Sequence, residues 1–140
     1  MRIRIAKEFQ WEMSHRLPFH KGDCKNIHGH TYKVRVEIEG DTDENGMIMD
    51  YFDMANIMNP VIHQLDHAFL VDDNDSVMLG FLASNNFKHV VMNKTTTAEN
   101  IAAYILDIIT PSFQQYRNID LLKIRFNETS DVFAELEKKL

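Results

Sequence analysis

RIRIAKEFQWEMSH, residues 2–15, alternates between apolar and polar side chains along its length. One parity of this stretch is almost entirely apolar and consists of Ile3, Ile5, Lys7, Phe9, Trp11 and Met13. Because successive side chains of a β-strand point to opposite faces of the sheet, this alternation predicts a strand with one buried face. His15 continues the apolar parity, so its imidazole is expected on the same face.

A loop and a second strand follow. Residues 16–27 contain Pro, Gly, Asp and Asn, and they are predicted to form the loop. Residues 32–39 alternate again, and His28 and His30 extend their apolar parity backwards. If the two strands pair antiparallel, the end of the first lies beside the start of the second, and the imidazole of His15 meets those of His28 and His30. Two strand residues of one parity lie roughly 6–7 Å apart.

The middle of the chain predicts helices. Residues 46–51 are expected to be extended, and Asp50 is expected to cap a helix whose apolar residues recur at helical spacing over 54–65. Pro60 lies within that helix and predicts a kink or a late start, since a proline removes one backbone hydrogen bond. Residues 71–94 are predicted to contain a turn, a short helix over 77–83 and a short strand over 89–92.

A second main helix and two strands complete the prediction. Thr96 and Glu99 have the spacing of a capping box, which predicts that a helix starts there. The apolar residues of 101–109 are helically spaced, and Pro111 is expected to end the helix. Residues 122–126 alternate as a strand whose parity Glu128 continues, and 131–136 is expected to add another strand. The main elements therefore follow the order ββααββ.

This order predicts an α+β fold with an antiparallel sheet, formed as a single domain over residues 1–140. The edges of so small a sheet need covering, and assembly into an oligomer would cover them. The net charge is −6 and no dense basic cluster occurs, which argues against nucleic acid as a partner. There is one cysteine, no apolar block typical of a signal peptide and no run long enough to span a membrane, so a cytoplasmic location is expected.

The three histidines on one parity predict a metal site. Three neutral imidazoles with an open fourth position are the donor set of a catalytic zinc centre, so His15, His28 and His30 are the expected Zn²⁺ ligands. The alternative is that they are hydrogen-bonded strand histidines near a loop. Cys24 lies in the loop before His28 and has three interpretations: a fourth ligand, a buried small residue, or an unligated thiol activated by the neighbouring cation.

Three carboxylate and imidazole groups further along the chain have competing interpretations. Asp66 and His67 form an acid–base pair in one hypothesis, whereas a helix cap or a solvated turn is the alternative. Glu128 lies on the buried parity, where it needs partners. These partners are either the amino-pyrimidine donors of a ligand or the cation of a salt bridge.

The chain also resembles a known family. Six motifs occur in order over about residues 3–130: MSHRLP at 13–18, Cys24-x3-His28-Gly29-His30, GMIMDY at 46–51, LDH at 65–67, TAEN at 97–100, and Glu128-Thr129. Together they resemble the 6-pyruvoyltetrahydropterin synthase / 6-carboxytetrahydropterin synthase family. The resemblance implies the tunnelling fold, with a four-stranded antiparallel sheet, two helices on one face and a hexamer of two trimers. It also implies active sites between subunits.

The resemblance further implies roles for individual residues. His15, His28 and His30 match the zinc ligands, and Cys24 matches the catalytic cysteine. Asp66 and His67 match a second acid–base unit, Glu128 matches the pterin anchor, and Thr97 matches a position that lines the pterin pocket through its backbone. Arg16, Lys21 and Lys25 are the nearest candidates to hold a triphosphate. These matches are expectations.

The implied substrate is 7,8-dihydroneopterin triphosphate. The spacing Cys-x3-His-Gly-His resembles the carboxytetrahydropterin branch, which forms 6-carboxy-5,6,7,8-tetrahydropterin and releases acetaldehyde and triphosphate on the route to queuosine. The alternatives are triphosphate elimination of the 6-pyruvoyltetrahydropterin synthase type, another pterin reaction such as an aldolase cleavage, and a non-catalytic zinc- or pterin-binding module in which Cys24 closes the site.

Overall fold

A computed structural model describes all residues from Met1 to Leu140. Its helices and strands follow in the order β1 (Arg2–His15), β2 (His28–Asp41), α1 (Tyr51–Leu65), β3 (Ala68–Asp72), α2 (Ser76–Ser84), β4 (His89–Met92), α3 (Ala98–Phe113), β5 (Ile119–Asn127) and β6 (Phe133–Lys139). A single 3₁₀ turn, Asp23–Lys25, interrupts the loop between β1 and β2. None of the helices is long and apolar enough to cross a membrane.

The six strands form one mixed sheet in the order β4-β3-β1-β2-β5-β6. Strands β1, β2, β5 and β6 pair antiparallel, as predicted for the four main strands. The prediction of a four-stranded sheet with two helices is nevertheless wrong in detail. Strand β3 pairs parallel with the end of β1, and β4 pairs parallel with β3. Helix α2 and strand β4 are the short elements predicted over 77–83 and 89–92, and they add a third helix and, with β3, two more strands to the fold.

Strand β3 escaped prediction because both of its faces are buried. Leu70 faces the main core, whereas Phe69 and Val71 pack against Met78 and Leu82 of α2. A strand covered on both sides is continuously apolar, and a short apolar run cannot be distinguished from part of a buried helix by periodicity.

Several predicted boundaries need correction. Helix α1 starts at Tyr51 with the Asp50 carboxylate accepting from Phe52 N at 2.8 Å, so the cap is as predicted and the start is not late. Pro60 lies inside α1 at an exposed position, where water can bond the carbonyl that its missing N–H leaves free. Pro111 likewise lies inside α3, which it does not end. Residues 46–50 form bends and irregular chain, and Tyr51 starts α1, so this stretch is not a strand.

The cap of α3 is shifted by one residue from the prediction. Thr97 is the N-cap, and its Oγ1 accepts from Asn100 N at 3.2 Å. Threonine occupies 95, 96 and 97, so a one-residue shift of the cap keeps the residue type. Thr96 is instead fully buried, and its hydroxyl donates to the backbone oxygen of Arg16.

The main core lies between one face of the sheet and helices α1 and α3. At its centre the ring of Tyr32 stacks on Phe126 and on Trp11, with centroids 5.2 and 6.1 Å apart. Trp11 and Tyr32 face each other across the β1–β2 ladder. The end of this ladder carries the three histidines, and the ring of Tyr32 lies 6.0 Å from that of His15 and 5.2 Å from that of His30.

The backbone of Gly40 in β2 lies close to the backbone of Asn118. A side chain at Gly40 is therefore expected to lower the stability of the folded protein. A Cβ on Gly40 would lie 1.9 Å from the backbone oxygen of Asn118, at the register shift between β2 and β5. Because backbone must move to admit it, Gly40→Ala is expected to lower the free energy of unfolding by about 3 kcal/mol. Urea unfolding measures this change.

Gly80→Ala is the matched control. A Cβ on Gly80 would meet nothing within 4 Å, and Gly80 lies inside α2. Alanine favours helix over glycine, so this variant should be more stable by up to about 1 kcal/mol. An unfolding free energy of Gly40→Ala equal to that of the unmodified protein would contradict the proposed clash.

Candidate metal centre

Three imidazoles converge at the end of the β1–β2 ladder. The register pairs His15 directly with His28 and Met13 with His30. One ligand nitrogen of each histidine lies within 4.8 Å of those of the other two. The ring centroids are 4.6 Å apart for His15 and His28, 5.0 Å for His28 and His30, and 5.4 Å for His15 and His30. The predicted convergence of the three rings is therefore confirmed.

Backbone carbonyls determine the tautomers of two of these imidazoles. His15 Nδ1 lies 2.8 Å from the carbonyl oxygen of Thr96, and His28 Nδ1 lies 2.7 Å from that of Asn26. A carbonyl oxygen only accepts, so both Nδ1 atoms carry the proton and both Nε2 atoms keep a lone pair. Such hydrogen bonds from the second ring nitrogen are the usual support of metal-bound histidines.

The triad fits a divalent metal ion. The Nε2 atoms of His15 and His30 are buried and have no hydrogen-bond partner. Burial lowers the pKa of His15 to about 4, and burial also lowers the pKa of His30. Both rings are therefore neutral near pH 7, as ligation requires. A cation bound between the three rings would satisfy nitrogens that otherwise lose their hydrogen bonds on burial.

Cys24 lies on the wall of the same pocket as the histidines. The pocket has a volume of about 400 Å³ and is lined by His15, Leu17, Asp23, Cys24, Asn26, His28, His30 and Glu128. The thiol is half-buried in the 3₁₀ turn. It does not belong to the group of donor atoms that lie within 4.8 Å of one another. This geometry favours a thiol beside the metal over a fourth ligand.

Glu128 projects into this pocket and lacks a cationic partner. Its carboxylate lies 3.5 Å from His15 Nε2, and no lysine or arginine lies within 4.0 Å. Burial raises the pKa of Glu128. The alternative considered for Glu128 was a salt bridge; no lysine or arginine supplies one, and the low pKa of His15 leaves that ring neutral near pH 7. Thr97 is not part of the pocket lining, so its contact with a pterin stays a prediction.

Asp66 and His67 form the predicted pair, and Asp66 is also a helix cap. His67 Nδ1 lies 2.9 Å from Asp66 Oδ1, which also accepts from the backbone N–H of Glu12 at 3.0 Å. The Glu12 N–H and the His67 ring together lower the pKa of Asp66. The backbone of His67 has a φ of 58° and donates to the carbonyl of Glu12 at 2.7 Å. These bonds to β1 hold the pair in place and leave the imidazole largely exposed.

Within one chain His67 lies outside the pocket that holds Cys24, and of the three metal-site histidines only His30 borders the pocket that His67 lines. His67 lines a second pocket with residues that include Glu12, Ser14 and Thr31. These strand residues alternate with the metal-site histidines, so their side chains point to the opposite face of the sheet. Cys24 and His67 therefore border different pockets.

The residues expected to bind the triphosphate differ in whether their positive charge is already paired within the chain. Arg16 makes two hydrogen bonds of 2.6 Å to the buried carboxylate of Asp75, so its charge is already paired. Lys21 and Lys25 are exposed in the loop after β1 and form no ion pair within 4.0 Å. Arg16 is thus a poor candidate for holding a phosphate group, and the two lysines stay candidates.

Sequence reasoning missed the groups that hold the histidines in place. Thr96 and Asn26 act on them through backbone carbonyls, which every residue has, so no side-chain pattern identifies them. Asp75 lay in the acidic run 72–75, which the sequence predicts as a turn. Its pairing with Arg16 joins residues 59 positions apart in the chain.

Comparisons of sequence and of fold relate this chain to known proteins. Residues 4–139 match the sequence profile described as 6-pyruvoyl tetrahydropterin synthase. The 6-carboxy-5,6,7,8-tetrahydropterin synthase of Haemophilus influenzae is 36% identical over an alignment that covers 97% of this chain and 99% of the relative. A putative enzyme of the same name from Archaeoglobus fulgidus is 31% identical and covers 99% and 96%.

The fold has a known counterpart as well. The structure of Plasmodium falciparum 6-pyruvoyl tetrahydropterin synthase superimposes with a TM-score of 0.79 at 18% identity and covers 99% of each chain. This likeness concerns the fold, whereas the profile match and the Haemophilus relative concern the sequence itself. On that sequence evidence, the chain belongs to the 6-pyruvoyl tetrahydropterin synthase family.

Proposed function

We propose that this protein is a zinc-dependent lyase that converts 7,8-dihydroneopterin triphosphate and one water molecule to 6-carboxy-5,6,7,8-tetrahydropterin, acetaldehyde and triphosphate. The observation that carries the proposal is the convergence of His15, His28 and His30 beside the Cys24 thiol in one pocket. The relatives named for this activity support the carboxy-forming branch. The product belongs to the route to 7-deazaguanine nucleosides such as queuosine.

Three chain residues would hold the zinc ion. The Nε2 lone pairs of His15 and His28 are available because their Nδ1 atoms donate to carbonyls, and His30 Nε2 is buried without a partner. When bound, zinc would act as a Lewis acid toward side-chain oxygens of the substrate and acidify the adjacent C–H bonds. Glu128 would accept hydrogen bonds from the amino-pyrimidine end of the pterin and so orient it.

Cys24 and His67 would move the protons. Cys24 lies on the wall of the histidine pocket, within reach of a molecule bound there. Asp66 accepts from His67 Nδ1, which leaves Nε2 of that ring to exchange a proton with substrate. The lowered pKa of Asp66 keeps it ionised and able to stabilise a protonated His67.

The different pockets that Cys24 and His67 line support an active site shared between subunits. For His67 to reach a substrate in the histidine pocket, it would have to come from another subunit. We therefore propose a homo-oligomer, a hexamer of two trimers by the family resemblance, whose active sites lie between chains.

Two open sheet edges support this assembly. Strand β1 pairs with β3 only at Met13 and Ser14, so its edge over residues 2–11 has no neighbouring strand. The outer edge of β6 is also unpaired. Strands β1, β2, β5 and β6 alternate in direction, so β6 of one copy placed beside β1 of another would continue the antiparallel order. Such edges are covered in stable proteins.

Product identification tests the proposed reaction. Purified zinc-loaded protein is incubated with 7,8-dihydroneopterin triphosphate, and products are identified by mass spectrometry, with metal-stripped protein as the control. The proposal expects the carboxylated pterin and acetaldehyde. A pyruvoyl product would assign the chain to the other branch, and unchanged substrate would overturn the lyase function.

Mixing two inactive variants tests the shared site. Cys24→Ala and His67→Ala are each expected to be inactive, whereas a mixture reassembled from dissociated subunits should regain up to about a quarter of the activity by random pairing. Each regained site combines an intact Cys24 from one copy with an intact His67 from another. Absence of recovery in a mixture shown to have exchanged subunits would argue against sites between chains.

A further inference from the structure

Thr96 forms hydrogen bonds with the imidazole of His15 and with the backbone of the next residue, Arg16. It is fully buried in the irregular segment before α3. Its carbonyl oxygen accepts from His15 Nδ1 at 2.8 Å, and its hydroxyl donates to the backbone oxygen of Arg16 at 3.2 Å. The orientation of the His15 ring therefore depends on where Arg16 and Thr96 lie relative to each other.

The position of Arg16 is fixed in turn by Asp75. The guanidinium donates through Nε and Nη2 to the two oxygens of Asp75, each at 2.6 Å. Asp75 is 5% exposed and is the N-cap of α2, where its Oδ1 also accepts from Met78 N at 3.3 Å. A planar pair with two hydrogen bonds fixes direction as well as distance. The side chain that follows His15 is thus anchored to the start of α2.

We infer that Asp75 is a positioning residue for the metal site: by anchoring Arg16, it fixes the backbone that Thr96 contacts and so sets the orientation and tautomer of His15. Asp75 does not belong to the metal-donor group, and it does not line the histidine pocket. The inference rests on the proposed function only for the identity of the metal. It assigns the segment from β3 to α3 a role in supporting the metal centre.

A purely structural role for Asp75, as the cap of α2, makes a different prediction. Asparagine caps helices about as well as aspartate does and has nearly the same volume. It cannot form the charged two-oxygen pair with a guanidinium. Asp75→Asn therefore keeps the cap and removes the anchor. Asp73→Asn, at an exposed neighbouring position, is the matched control for loss of one carboxylate.

Two measurements that need no turnover test the inference. In metal-free protein, ¹⁵N NMR of the imidazoles reports the tautomer of His15, which should be the Nδ1–H form in the unmodified chain and a mixture in Asp75→Asn. Competition with a chromophoric chelator reports the Kd for zinc. Asp75→Asn is expected to raise this Kd at least about tenfold, the effect typical of lost support for a metal-bound histidine. Asp73→Asn should match the unmodified protein in both measurements.

An Asp75→Asn variant with an unchanged tautomer and unchanged Kd would overturn the inference. If that variant does not fold, Arg16→Lys is used, since lysine keeps the charge but not the planar fork, and the same two shifts are expected. If the unmodified chain itself binds no zinc, the proposed function fails, and the tautomer measurement still tests the inference by itself.

Discussion

Replacing His30 with alanine is expected to leave the protein folded and nearly metal-free. His30 supplies a buried Nε2 without a protein partner, and the rest of its side chain is partly exposed, so little packing is lost. Removal of a direct ligand should cost more than the roughly 10–100-fold in affinity that loss of a supporting residue costs. After dialysis against a weak chelator, we expect less than about a tenth of an equivalent of zinc per chain, and turnover at least about a thousandfold lower.

His63→Ala is the matched control for His30→Ala. His63 is exposed on α1, and its backbone oxygen accepts from Lys88 Nζ at 2.8 Å, a contact that the substitution keeps. This variant should keep one zinc per chain and full turnover. Atomic absorption measures the metal, and circular dichroism with thermal unfolding checks the fold. Full zinc content in His30→Ala would remove the basis for the metal centre.

Replacing Cys24 with alanine is expected to lower turnover at least about a hundredfold and to spare the metal. The thiol lies on the pocket wall but outside the cluster of donor nitrogens. Loss of a positioned proton-transfer group typically costs about 10²–10⁴-fold in rate. Zinc content, zinc affinity and thermal stability should equal those of the unmodified protein. Steady-state kinetics and chelator competition on the same preparation measure both properties.

Lys25→Ala controls for disturbance of the loop that carries Cys24. Lys25 belongs to the same 3₁₀ turn and is exposed. Its loss should leave proton transfer intact, although substrate affinity falls if the lysine contacts the triphosphate. A Cys24→Ala variant that loses zinc along with turnover would make the sulfur a fourth ligand. The non-catalytic module would then be the better interpretation.

The sequence was sufficient to predict the histidine cluster because the parity of a residue in a strand determines the face of the sheet on which its side chain lies. Two alternating stretches place three imidazoles on one face, and antiparallel pairing brings their ends together. The bounds of β4, His89–Met92, were also predicted from a short β-branched run.

Other parts of the site depend on contacts that periodicity does not encode. Asp66 and His67 follow helix α1 directly and do not belong to a strand, so strand alternation does not indicate which face of the sheet they reach. The positive φ of His67 is not encoded in the hydrophobic periodicity either. Supporting bonds to His15 and His28 come from main-chain oxygens. The Arg16–Asp75 pair joins a loop to a helix start that the sequence predicted as a turn.

The aromatic stack beneath the histidines gives the protein an intrinsic optical probe. Trp11 is the sole tryptophan of the chain, is 3% exposed and stacks on Tyr32, whose ring centroid is 5.2 Å from that of His30. The indole is therefore separated from the imidazole of His30 by a single aromatic ring, that of Tyr32. A paramagnetic ion seated among the three imidazoles would quench the indole emission, so occupancy could be followed by titration in a cuvette without labels.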